Sequence, residues 1–152
     1  MILALALAAG LAASPPIRPD PQLTPGVVDP AATLQVICVR GYTAHKGVRH
    51  VTAATKRAVF RRYGVDPKVG GPYEIDHLIS LELGGSNDPA NLWPQSYTSQ
   101  PWNAHLKDAL EDRLHAKVCW DGLPLAVAQA DIAIDWPAAY GAFVAAPLAP
   151  PP

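Results

Sequence analysis

"YEIDHLISLELGGSNDPANLWPQ", residues 73–95, is the stretch on which the fold turns. Strand formers fill its first half, "GGSND" (84–88) supplies turn chemistry, and "NLWPQ" can pair back for a few residues before Pro94 ends the pairing. That pattern predicts a hairpin. Inside it Asp76 and His77 stand side by side in an apolar run, and Asn91 sits in another. Neighbours on a strand point to opposite faces, and a hairpin face covered by a helix is buried. An ion or an imidazole there is costly unless it is paired or holds a metal. A carboxylate such as Asp76 suits a hard divalent cation. The imidazole of His77 suits proton abstraction from water near neutral pH, with Asn91 accepting from one ring nitrogen and leaving the other free.

Helices surround this hairpin. "PWNAHLKDALEDRLHAKVC" (101–119) carries Leu106, Leu110, Leu114 and Val118 at four-residue intervals, the stripe that packs on a core, with Pro101 at its start. "TAATKRAVFRRYG" (52–64) reads as a helix capped by Thr52 or Thr55 and stopped by Gly64. "LAVAQADIAIDWPAAY" (125–140) starts as another, which Pro137 must end or kink. "LQVICV" (34–39) alternates weakly and reads as a short strand. Helices outweigh strands, so the expected class is α+β: one small domain with a hairpin-plus-helix core and flanking helices.

The run "EIDHLISLELGGSNDPANLWPQ", followed by "KDALE", resembles an HNH endonuclease of the ββα-metal type. It looks closest to a group of small exported bacterial proteins with the pattern DH-L-x-x-L-x-L-G-G-x-N-x-x-x-N-L-W-P. The resemblance covers about residues 73 to 119. It implies phosphodiester hydrolysis, with His77 as general base, Asn91 orienting it and Asp76 as first metal ligand. Gly84 and Gly85 would let the loop turn tightly. The family's third signature position, a His or Asn early in the helix, falls on Asn103 or His105. Helical geometry favours Asn103, which shares a side with Leu110 and Leu114. So few protein ligands suit Mg²⁺, which keeps its waters, with Mn²⁺ and Zn²⁺ as alternatives.

Net charge is -1, but seven of the twelve Lys and Arg fall between Asp29 and Asp66, a segment with no acid. Such a segment can face a polyanion. Arg49 and Lys107 are candidates for the scissile phosphate, and Arg61 and Arg62 for sequence-independent backbone contacts. The resemblance implies DNA as the partner, with RNA as the alternative, and low sequence specificity is expected, since no base-reading module stands out.

The apolar run at residues 2–14 reads as the core and cleavage site of a secretory signal, shorter than the roughly 20 residues a bilayer demands. The expected order is signal at 1–14, Pro-rich linker at 15–30, nuclease domain at 31–145 and Pro-rich tail at 146–152. Export to the periplasm or medium, with no membrane anchor after cleavage, agrees with two cysteines, Cys38 and Cys119, able to pair. The rivals are a non-catalytic module that binds a polyanion through its basic segment, and a different metal-assisted hydrolase.

Overall fold

The computed structural model describes residues 18–44, 48–69 and 71–145. The signal-like run at 1–14, linker residues 15–17, His45, Lys46 and the tail at 146–152 lie outside the described residues. The class is α+β, in one small domain.

Strands β1 (Tyr73–His77) and β2 (Leu92–Ser96) pair antiparallel, with Asp76 opposite Trp93 and His77 opposite Leu92. Pro94 does not end the pairing; it lies inside β2 opposite Ile75. The phase of the ladder explains why. Leu78 N–H donates to Asn91 and Tyr97 N–H to Pro72, so bonded pairs fall on the even positions of β1. Ile75–Pro94 is then a non-bonded pair, where a missing N–H costs nothing. The same phase turns the carbonyls of His77 and Leu92 outward, towards other elements.

The connection between the strands carries two short 3₁₀ turns, Leu81–Leu83 and Pro89–Asn91. Gly84 ends the first at φ +76°, a conformation that side chains rarely adopt. At Gly85 a Cβ would be driven into the carbonyl of Ile79, so the two glycines permit the close turn.

Residues 34–39 are not a strand. Helix α1 (Leu34–Ile37) forms there, with Val36 and Ile37 N–H bonded back to Thr33. With no partner strand beside it, the segment satisfies its backbone locally, as a helical turn. Helix α2 (Ala53–Arg62) is capped by Thr52, whose hydroxyl accepts from Thr55 N–H. It packs Val59 and Phe60 against Ile75 and Leu92 on one face of the hairpin.

Helix α3 (Ala104–Trp120) begins later than Pro101, because Asn103 serves as its N-cap. Its buried side chains are Ala104, Lys107, Leu110, Leu114 and Val118. Leu106, expected on that stripe, is only part-buried, and Lys107 takes the inward position. Helix α4 (Leu125–Tyr140) crosses α3 and packs Ile132 and Trp136 into the main core with Leu83, Leu110 and Leu114. It is kinked at Asp135, just ahead of Pro137. Trp93 and Trp136 are buried, whereas Trp120 is 72% exposed.

Two ties hold the outer parts. Cys38, just after α1, is bonded to Cys119 near the end of α3. The described part of the Pro-rich segment, residues 18–30, is not a free linker: it turns at Asp20, whose carbonyl accepts from Leu23 and Thr24 N–H, and packs as a strap. Thr24, 1% exposed, donates to the outward Leu92 carbonyl at 2.9 Å, and Val28 bridges to Gly85. Arg18 makes a two-pronged contact with Asp135.

Candidate functional site

The hairpin and its loop bring His77 against Asn87, not Asn91. His77 is 2% exposed, and its Nε2 lies 3.1 Å from Asn87 Oδ1. The orientation of that amide is set by the backbone of the preceding segment. Asn87 Nδ2 donates to the Val48 carbonyl at 2.8 Å, and His50 N–H donates to Asn87 Oδ1 at 3.0 Å. The amide oxygen therefore faces the ring, so Nε2 carries the proton and Nδ1 carries the lone pair. Nδ1 has no hydrogen-bond partner among the described residues. Burial, first, holds the imidazole below its ordinary pKa, with the charges of Arg49 and Lys107 adding; the Asn87 bond and Asp76 oppose this. The neutral ring is thus the resting form near neutral pH.

Asn91, expected to orient His77, instead staples the loop. Its Oδ1 accepts from Ile79 N–H at 2.9 Å, and its Nδ2 donates to the carbonyls of Ile79 and Ser86. At 0% exposure it is a fully used scaffold amide. The signal for Asn87 was present in the quoted pattern, as the Asn two residues after the Gly pair.

On the other face of β1, Asp76 meets Lys107 from α3. Lys107 is 0% exposed, and its Nζ lies 2.7 Å from Asp76 Oδ2. The same ammonium donates to the outward His77 carbonyl at 2.7 Å and to Glu111, one turn on. The Asp76 contact is off-line for a hydrogen bond and acts as a charge pair. Burial alone would discharge Lys107, but Asp76 and Glu111 outweigh it and hold the ammonium firmly charged. Glu111 is pushed up to about 8 by burial, with Asp76 adding and Lys107 opposing. One lysine serves two carboxylates, so a proton on Glu111 balances the set.

Lys107 is therefore not free to hold a phosphate as expected. Arg62 is committed too: its Nη2 donates to the carbonyls of Pro89 and Leu92, tying α2 to β2. Arg61, Lys56 and Arg57 are exposed on α2. Arg49 is exposed and sits between Val48 and His50, both pinned to Asn87, which sets its charge near His77 and Glu82. It borders a cleft of about 180 Å³ whose acidic wall includes Glu82, Asp108, Glu111 and Asp112. Burial raises the carboxyls of Glu82 and Asp108, and neighbouring acids add to it.

The residues in place do not fit a divalent ion held by Asp76 and Asn103. Asn103 spends its Oδ1 on the Leu106 N–H as the cap of α3. His105, the alternate, is exposed and stacks at 5.5 Å on Tyr97. Oδ2 of Asp76 carries an ammonium. Around it, Glu74 Oε1, Trp93 Nε1 and both polar atoms of Gln95 are buried without hydrogen-bond partners among the described residues. The register puts all four residues on one face. A set that mixes N–H donors with oxygen acceptors suits water better than a metal ion. Among the described residues, three ligand-type atoms converge within 4.8 Å only at Cys38, His115 and Cys119. There the two sulfurs are bonded to each other, so they become ligands only on reduction.

No described helix is long and apolar enough to cross a membrane. The disulfide suits an oxidising compartment. Comparison with family models, curated proteins and solved structures gives no match.

Proposed function

We propose that this chain is a phosphodiester hydrolase of the HNH endonuclease type, acting on DNA, with RNA as a second substrate, outside the cytoplasm. One observation carries the reading: the buried His77 ring meets the Asn87 amide oxygen through Nε2, an arrangement that favours the neutral ring and leaves Nδ1 as a base. The order hairpin, loop, helix agrees with the ββα arrangement that the sequence resembles.

In the reaction, Nδ1 takes a proton from water as its oxygen bonds to phosphorus, the bond to the leaving 3′ oxygen breaks, and that oxygen takes up a proton from solvent, to which the imidazolium later returns its own. The charge gathering on the phosphate calls for a nearby cation, and exposed Arg49, whose charge lies near His77, would supply one. The exposed bases Lys56, Arg57 and Arg61 would contact the backbone without reading sequence.

That same row on α2 favours the rival, a non-catalytic polyanion binder. Supercoiled plasmid separates the two. Wild-type and His77→Ala proteins are incubated with it in Mg²⁺, Mn²⁺, Zn²⁺ or EDTA, with circular dichroism confirming the fold. The hydrolase reading expects nicking by the wild type and at least a hundredfold loss in the variant, on the order of a missing general base. Nicking that survives in His77→Ala, or folded protein that never nicks, refutes it.

A further inference from the structure

The cation beside Asp76 is part of the chain. Lys107 lies on the inward stripe of α3, between Ala104 and Leu110, a place where the sequence pattern calls for hydrocarbon. Its ammonium is surrounded by three oxygens, from Asp76, Glu111 and the His77 carbonyl. Two of its N–H groups are spent on Glu111 and the His77 carbonyl, and the charge is paired with Asp76. The His77 carbonyl is available only because the ladder phase turns it away from β2. Glu111 is available because it follows Lys107 by one helical turn. A divalent ion gathered by Asp76, Glu111 and the His77 carbonyl would need the place between these oxygens that the ammonium already fills. The two cations exclude each other.

We infer that Lys107 is the resident cation of this site, tethered where a divalent metal would otherwise bind, and that the protein carries no metal on Asp76. A corollary, which rests on the hydrolase reading, is that hydrolysis at His77 proceeds in the presence of a chelator.

The test is Mn²⁺ binding to the full chain, followed by calorimetry and by electron paramagnetic resonance, for wild type, Asp76→Asn, Lys107→Met and the double variant. Wild type should take up no ion at this site. Lys107→Met, which keeps the length of the side chain and removes its charge, should take up one Mn²⁺. Its melting temperature should rise by about 5 °C or more in the presence of the ion. The double variant should lose both effects. One Mn²⁺ bound by wild type and lost in Asp76→Asn overturns the inference, and that pair decides the matter if Lys107→Met does not fold. A folded Lys107→Met that takes up no ion overturns it as well, because the place would then not be one a cation fits. Plasmid nicking in EDTA addresses the corollary separately. Nicking that requires metal sinks the corollary and spares the hydrolase reading. No nicking under any condition sinks the hydrolase reading and the corollary, while the titration still decides the cation.

Discussion

Replacing Asn87 by Asp would put a carboxylate where an amide oxygen now accepts from His77 Nε2. Burial keeps the imidazole of the wild type below its ordinary pKa of about 6.5. The facing charge should raise it, by about one unit. Histidine titration by NMR reads this directly, and the acidic limb of any nicking activity should move to higher pH with it. A titration that does not move would mean Asn87 does not face the ring. The sign for stability follows from the same shift. A histidine whose folded pKa is depressed favours folding above about pH 6.5, and that contribution is lost as pH falls below this value. Asn87→Asp should therefore blunt the loss of stability on mild acidification. Asn91, four residues on, was read as the orienting amide. The sequence shows two asparagines in one loop, and only the path of the loop decides which one meets the ring. Asp76 and His77 themselves were legible, because a charge and an imidazole in a strand pattern need a reason to be there.

At the scale of elements, the hairpin, α2, α3 and α4 were legible from periodicity and turn residues. The helical turn at 34–37 was not, since six residues of weak alternation read as a strand and cannot reveal that no partner strand lies beside them. Helix α3 shows a subtler limit. Its stripe was visible, and Lys107 was expected to meet the scissile phosphate, because a long basic side chain reads equally well as reaching outward. What turns it inward is the pair of acids waiting at Asp76 and Glu111. Asn103 makes the complementary point, because its side chain begins the helix. Asn103→Ala should cost about 1 kcal/mol of stability, the usual worth of such a cap, measured by urea unfolding. It should leave the metal response of the protein unchanged. A variant that keeps its stability but alters how Mn²⁺ affects melting would restore Asn103 as a ligand.

For the whole molecule, the parts far apart in sequence are joined by ties that periodicity does not encode. The strap fastens to Leu92, Gly85 and Asp135, and its prolines announce extension without announcing a partner. The disulfide was legible from two cysteines in a chain with an export-like start, and it joins residues 81 apart. Its effect should be global and not local to the hairpin. Lys107 and Cys119 are twelve residues apart on one helix, about 18 Å at 1.5 Å per residue, so the bond anchors the end of α3 remote from Asp76. Closing a loop of that length restricts the unfolded chain by about 4 kcal/mol in the chain-entropy account. Reduction, or the Cys38→Ser and Cys119→Ser pair, should lower the unfolding free energy by about that amount in urea titrations. The His77 titration of the protein still folded should stay where it is. A loss under about 1 kcal/mol would show that α1 and the end of α3 hold together without the bond. A displaced His77 titration would show instead that the bond sets the geometry of the hairpin from the far end of α3.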